Sequence, residues 1–343
     1  MGWSRSAGGV LAGAFCLLSG GVLPSATAEV RVAEGLRVEV VVTGIPRPVE
    51  LAFDASGSLV VLSHGWRGDS AAEIYRLDLR GLPLDSPPSR VVIPFSEGPR
   101  KATFGSLAVH PKSGDLFLGE ENGNRVYRLT AEGNLELYAV GLQHLVGGSS
   151  LAFDGKGRLV ALDYASPAGR LRSEARLPPA LDWLRSEAYQ GPLVFRLDPK
   201  ADIPLPRRFD LVAPLFPKGW ARRTAREVLP RFISVTASPA GNLVLLGSLG
   251  EVFRLTPQTG LHLLARLPAG DYRRTNMAVG PEGAVFVSSG FHVRRLFRIS
   301  PAGAVTTVAR ELGDPGGVVA DQAGNLYIAE TALHRIIRIR PLP

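Results

Sequence analysis

A chain of 343 residues is long enough for two average domains, although repeat architectures of this length often form one. Apolar residues make up 45% of the chain and aromatic residues only 7%, and glycine and proline are frequent, a balance that is typical of many short strands joined by turns. The net charge of +8 comes without a basic tract that has interleaved aromatics, so we expect no nucleic acid among the partners.

The first 28 residues have the organisation of a secretory signal peptide. Arg5 gives a positive start, residues 9–18 form an apolar run too short to span a bilayer, and Ala26-Thr27-Ala28 is a small-x-small cleavage site. We therefore expect a secreted or periplasmic domain at residues 29–343, with no stable membrane span after cleavage. An uncleaved membrane anchor is the alternative. Cys16 is the only cysteine, so the mature chain would have neither disulfide nor thiol chemistry.

Six copies of one short pattern run through the rest of the chain. Each copy has two apolar residues, then an arginine, then an aliphatic residue. The six arginines are Arg76, Arg128, Arg196, Arg254, Arg298 and Arg338. Upstream of each copy, two apolar segments flank a tight turn that usually contains glycine. Self-similarity at roughly 40–50 residues with about four strands per unit predicts an all-β, six-bladed β-propeller with four-stranded blades.

The last predicted blade lacks a strand, and the start of the chain can supply it. The predicted blades are residues 49–95, 105–140, 149–212, 233–267, 275–309 and 316–340. Blade six has only three strands before the chain ends. Residues 36–42 alternate like the outer strands of the other blades, so we expect them to complete blade six and close the ring, which removes exposed sheet edges.

Two insertions interrupt the regular blades. Residues 165–190 lie within blade three, and residues 213–231 precede blade four. Within the first, residues 178–188 begin with two prolines and have apolar residues three or four apart, which predicts a short helix. Loops this long in a compact domain are usually functional or disordered. Trp183 and Trp220 can anchor packing, which favours a lid or rim.

Several acidic residues are predicted to meet at one mouth of the central channel. The start of the first strand and the end of the second lie at the same end of an antiparallel blade. Oxygen donors that converge from several blades suit calcium, and we treat these residues as candidate metal ligands. The candidates are Glu50, Asn276, Glu120, Asp163 and Glu330. Alternatively, the acids cap loop amides or pair with arginines such as Arg125 and Arg335.

Two histidines are candidates for a general base near that mouth. His64 follows the second strand of blade one, and His144 lies in the loop that enters blade three. A structural loop histidine is the alternative for each. The sequence contains no convincing Ser-His-Asp arrangement, phosphate-binding loop, Cys/His zinc pattern or dinucleotide fingerprint.

The blades resemble those of NHL-repeat proteins and of the regucalcin/gluconolactonase and strictosidine synthase-like propellers, over nearly the whole mature chain. The gluconolactonase-like resemblance implies metal ligands at the starts of the inner strands, one position before Glu50 and its equivalents. Those earlier positions are Val49, Gly105, Ser149, Ile233, Thr275 and Gly316. None is acidic, so Glu50 and Asn276 match the implied pattern only if the strand starts are shifted by one residue.

Two classes of function fit this pattern. One is an exported propeller that binds a small-molecule or protein ligand at its channel mouth without catalysis. The other is a metal-dependent hydrolase or lactonase that uses calcium at that mouth. A redox-cofactor sugar dehydrogenase or a lyase are further alternatives, and the sequence does not decide whether the protein is an enzyme.

The signal peptide predicts a mature protein that begins near Glu29. N-terminal sequencing of protein made in cells with an intact secretion system should return that terminus from the secreted or periplasmic fraction. Recovery of a chain that starts at Met1 from the membrane fraction would instead establish the uncleaved anchor.

Overall fold

The described part of the chain forms six sheets around a central channel, which confirms the predicted all-β, six-bladed propeller. A computed structural model describes residues 29–66, 72–82, 84, 90–92, 103–120, 124–140, 142, 150–165, 191–197, 207–208, 210–211, 231–238, 240–256, 260–272, 275–289 and 293–342. The signal peptide, the helix predicted at 178–188 and most of both insertions lie outside these residues. Within the described ranges, no helix is long and apolar enough to cross a membrane.

The strands follow one another around the ring in chain order. The first two are β1 (Arg31–Val32) and β2 (Leu36–Thr43). Blade one has β3 (Pro48–Phe53), β4 (Leu59–Ser63), β5 (Glu73–Leu77) and β6 (Arg90–Val92). Blade two has β7 (Phe104–Val109), β8 (Leu116–Glu120), β9 (Arg125–Leu129) and β10 (Leu135–Val140). Blade three has β11 (Leu151–Phe153), β12 (Leu159–Ala165), β13 (Gly191–Leu197) and, after β14 (Arg207–Arg208), β15 (Asp210–Leu211).

The second half of the ring repeats this order. Blade four has β16 (Phe232–Ala237), β17 (Leu243–Gly247), β18 (Glu251–Thr256) and β19 (Gly260–Arg266). Blade five has β20 (Asn276–Val279), β21 (Val285–Ser289), β22 (Arg295–Ile299) and β23 (Val305–Arg310). Blade six has β24 (Pro315–Ala320), β25 (Leu326–Glu330) and β26 (Arg335–Pro341). Two 3-10 turns, Leu79–Gly81 and Thr331–Leu333, complete the described elements.

The sheets are joined by apolar clusters that each combine neighbouring blades. In one cluster Leu62 of blade one packs with Leu107 and Leu118 of blade two, and all three are at most 4% exposed. The second strands β4, β8, β17 and β25 are buried along their whole length because both of their faces contact another blade. This two-sided burial explains why those segments are apolar runs rather than alternating ones.

The tight turn between the first two strands has the same design in blades one and three. The carboxylate of Asp54 accepts hydrogen bonds from the amides of Ser56 and Ser58, at 2.9 and 3.0 Å. Gly57 follows with φ of +80°, a conformation that favours glycine. Asp154 accepts the amides of Lys156 and Arg158 in the same way. The turn residues therefore fix the ends of the inner strands.

The repeated arginines form ion pairs, most of them with an acid at this turn of their own blade. Arg76 lies 2.5 Å from Asp54, and the Arg128 Nε lies 3.0 Å from Asp115. The other pairs are Arg196 with Asp154 at 3.4 Å, Arg298 with Glu282 at 3.7 Å and Arg338 with Glu39 at 2.5 Å. The corresponding turn of blade four begins with Ser238, and within the described residues Arg254 forms no ion pair. The repeat therefore has a structural role.

The N-terminal strand closes the ring as predicted. β2 pairs antiparallel with β26 from Leu36↔Pro341 to Thr43↔Arg335. Val41 and Val42 are each 1% exposed, and Glu39 binds both Arg338 and Arg340. Two short edge strands were not predicted from the sequence: β1 extends blade five, and β14 adds to blade two in parallel with β10. Two-residue strands carry too little periodicity to be recognised in sequence.

Deleting residues 29–42 is expected to lower the free energy of unfolding by at least ~3 kcal/mol, because two fully buried valines and a whole strand pairing are lost. Thermal denaturation followed by circular dichroism measures the loss. The matched control is Glu39→Gln, which removes only partly exposed ion pairs and should cost about 1 kcal/mol or less. An unchanged melting temperature for the truncated chain would show that β2 does not hold the ring closed.

Candidate functional site

The inner strands of all six blades surround a cavity of about 750 Å³ along the propeller axis. It is lined by residues 50–53, 107–112, 151–157, 235–238, 277–279 and 318–320. The buried carboxyl of Glu50 lies at one end. At the other end the lining includes the exposed turn residues Lys112 and Lys156, so the cavity opens to solvent between these turns.

Small side chains keep this channel open. One position in each inner strand, two or three residues before the turn, lines the cavity: Ala52, Ala108, Ala152, Thr236, Ala278 and Val319. Their small volume both allows the blades to converge and leaves space along the axis. Apolar residues outnumber polar ones in the lining, while polar groups supply slightly more than half of its accessible surface, and a cavity of this volume can hold a small molecule.

Polar residues from five blades form a buried ring at the end of the inner strands where Glu50 lies. The ring consists of Glu50, Ser106, Ser150, Ser234 and Asn276, each at most 2% exposed. The hydroxyls of Ser106 and Ser150 are 2.5 Å apart and join blades two and three. Within the described residues, the Ser234 hydroxyl has no hydrogen-bond partner, and neither has that of Thr275 beside the ring. Both side chains are fully buried, and neither residue lines the cavity.

A β-bulge lies beside this ring in four blades. The register shifts between Pro48 and Glu50 in blade one, and at the equivalent level of β7, β16 and β24. Bulges re-aim side chains and are frequent near active sites. Here Glu50 lines the cavity while Val49 packs with the apolar cluster between blades one and two. Of the two successive residues Val49 and Glu50, Glu50 is thus the one that faces the channel.

The inner strands of blades five, six and one approach one another closely, and this approach brings Asn276 near Glu50. A Cβ on Gly317 would lie 2.5 Å from the Leu51 nitrogen, so β24 and β3 touch along their backbones only because of glycine. The Asn276 Nδ2 reaches across from blade five and donates to the Val49 carbonyl at 3.2 Å. Asn276 of blade five therefore contacts the backbone of the residue that precedes Glu50 in blade one.

The remaining predicted ligands are placed differently. Glu330 accepts a hydrogen bond from the Gly313 amide at 2.7 Å and from the Arg335 Nε at 2.5 Å, which is the capping and pairing role that the sequence left open. Glu120 ends β8 opposite Arg125, and Asp163 is fully buried in β12 opposite Leu193. Within the described ranges, no three His, Cys, Asp or Glu side chains are grouped as metal ligands would be.

Of the two candidate bases, only His64 belongs to the described residues; His144 lies outside them. The His64 Nε2 lies 2.8 Å from the carbonyl oxygen of Phe104. A carbonyl only accepts hydrogen bonds, so the proton is on Nε2 and any base function falls to Nδ1. This contact ties the loop after β4 to blade two.

A cluster on the rim at the Glu50 end was not predicted from the sequence. Trp66 is 57% exposed, and its ring centroid lies 4.8 Å from that of His334, whose Nδ1 accepts the Arg47 amide at 3.0 Å. Burial, and then the nearby Arg47 charge, lower the pKa of His334, which favours the neutral imidazole. Arg47 and His334 both have positive φ, which their sequence gives no reason to expect.

Comparisons with known proteins establish a common fold. No protein-family model and no curated protein sequence matches the chain. Among solved structures, a gluconolactonase from Xanthomonas campestris is 18% identical with a TM-score of 0.59, and the match covers 91% of each chain. Virginiamycin B lyase from Staphylococcus aureus is 12% identical with a TM-score of 0.56, over 92% of this chain and 100% of the lyase.

A carbohydrate-active enzyme of family AA12 from Trichoderma reesei is also similar. It is 11% identical with a TM-score of 0.57, and the match covers 91% of this chain and 98% of that chain. At these identities the similarity shows the fold alone. The predicted resemblance to gluconolactonase-like propellers is therefore confirmed at the level of the fold.

Proposed function

We propose that this protein is an exported propeller that binds a small molecule in its central channel. The observation that carries the proposal is the cavity of about 750 Å³ to which all six inner strands contribute. Apolar side chains such as those of Phe53 and Phe153 would contact the body of a ligand. Polar groups at the two ends of the cavity, Glu50 at one and Lys112 and Lys156 at the other, would orient it. Export rests on the predicted signal peptide at residues 1–28.

Apolar side chains of the cavity wall favour ligands that carry an apolar body. Phe53, Val109 and Phe153 line the cavity from three blades and are only partly buried, so their side chains are accessible to a ligand. Removing apolar ligand surface from water contributes roughly 25 cal/mol per Å². A ligand with one flat or linear apolar part thus gains affinity from these side chains, and its polar part lies at one of the two polar ends of the cavity.

A neutral apolar fluorophore, N-phenyl-1-naphthylamine, tests this cavity directly. We expect saturable binding of one molecule per chain with a rise in fluorescence. Ala152→Phe should weaken it at least about tenfold, because an aromatic side chain at a cavity-lining position fills part of the volume. The matched control is Ala302→Phe, the same change in an exposed turn outside the cavity, which should bind like the wild type.

Two results would contradict the binding proposal. One is fluorescence that never saturates with the wild type. The other is equal affinity of Ala152→Phe and Ala302→Phe while both variants keep the wild-type circular dichroism spectrum.

A calcium-dependent hydrolase is the second candidate, and the position of Asn276 beside Glu50 favours it. In this alternative Glu50 and Asn276 would hold the cation with further oxygen donors from the ring, and the cation would polarise the carbonyl of a substrate. The described carboxylates contribute fewer ligands than the sequence led us to expect, because Glu330 is engaged by Gly313 and Arg335.

Calcium should then raise the melting temperature, since a ligand at a hundredfold excess over its dissociation constant stabilises the folded state by about 2.7 kcal/mol. Glu50→Gln should abolish the shift, because it keeps the shape and removes the charge. Glu282→Gln, which changes an exposed carboxylate on the turn of blade five, is the control that should retain it. A wild-type protein with no thermal shift would reject the calcium site and leave the binding proposal standing.

A further inference from the structure

The cavity opens at the end opposite Glu50, and that opening carries a local excess of positive charge. Lys112 and Lys156 lie on the turns that end the inner strands of blades two and three, and both line the cavity. Both side chains are exposed, and within the described residues neither ammonium forms an ion pair. They are two of only five lysines in the chain.

The acids near these lysines are already neutralised by arginines. Asp115 binds Arg128 at 2.9 Å, and Asp154 binds Arg158 at 2.8 Å and Arg196 at 3.4 Å. Burial by itself raises the pKa of Asp154, but hydrogen bonds from Arg158 and the Lys156 amide more than offset it, so the pKa lies below its ordinary value. Asp154 is thus an ionised, satisfied partner of arginines, and the lysine charges remain uncompensated by it.

The turns that present the lysines are held in place. The His110 Nδ1 accepts the Ser113 amide at 3.0 Å, and the His110 ring packs edge-on against Phe153 of blade three, with centroids 5.0 Å apart. The turn of blade three also contacts that of blade four, where a Cβ on Gly155 would lie 2.6 Å from the Gly241 Cα. Lys112 and Lys156 therefore project from a rigid border of the cavity.

From this arrangement we propose that the channel takes an organic carboxylate with an apolar body, with the carboxylate between Lys112 and Lys156 and the body inside the cavity. The inference rests on the proposed channel-binding function and names its ligand class. The two ends of the cavity differ in charge, because the far end presents the carboxyl of Glu50 and no lysine. A monoanion consequently has one favourable orientation, with its charged group at the turn end.

Octanoate is the probe. 1-Octanol and acetate test separately the contributions of the apolar body and of the carboxylate. Octanol has the apolar body without the charge, and acetate has the charge without the body. Displacement of N-phenyl-1-naphthylamine and titration calorimetry at low ionic strength should show octanoate binding at least about tenfold more tightly than octanol and much more tightly than acetate. Octanoate affinity should fall as salt is added, because the lysines are exposed and screened.

The variant that combines Lys112→Gln with Lys156→Gln should weaken octanoate at least about fivefold and change octanol less than about twofold. Arg310→Gln removes one exposed cation from the outer strand of blade five, away from the cavity, and should leave octanoate binding unchanged. Equal affinity for octanoate and octanol, or wild-type octanoate affinity in the double variant, would overturn the proposal. Binding of the neutral fluorophore in those cases would show that the channel-binding function itself still holds.

Discussion

The pairing of β2 with β26 is the constraint on which the rest of the structure depends. It joins the two ends of the described chain in one sheet and makes blade six continuous with the ring. Because each apolar cluster is shared between neighbouring blades, a break at this point would expose the faces of blades six and one. The channel has a defined width only because the ring is closed. The geometry of the candidate site therefore depends on the pairing of β2 with β26, on the outer side of blade six.

The same construction explains how charge is distributed along the channel. In blades one and three an aspartate holds the amides of the turn after the inner strand, and the arginine of the third strand pairs with that aspartate. These pairs are partly exposed and each contributes little to stability. Their larger consequence is electrostatic: arginines pair with the acids of the two turns that carry Lys112 and Lys156, so these acids do not compensate the lysine charges, while the opposite end holds Glu50 in a ring of hydroxyl and amide groups.

Much of the fold could be predicted because each blade is specified by local signals: apolar runs, a tight turn that usually contains glycine, and an arginine followed by an aliphatic residue near the end of the third strand. Closure of the ring could be predicted from the number of strands in each blade, since blade six lacked one strand and residues 36–42 could supply it. The site was less accessible. Asp163 and Glu330 occupy equivalent positions in sequence to one another, but of the acidic candidates in the described residues only Glu50 lines the cavity. Periodicity does not show which of two successive side chains a bulge turns towards the channel.

The sequence alone therefore determined the number of blades, their strand order, the closing strand and the positions of small residues on the inner strands, because these follow from local periodicity and from repetition. Only the tertiary structure decided that Asn276 approaches Glu50, that His64 binds the backbone of blade two, and that the cavity opens between Lys112 and Lys156. Those relations join residues from different blades, and their distances depend on how closely the blades converge. That convergence is determined by contacts such as the one Gly317 permits between β24 and β3, which no local pattern records.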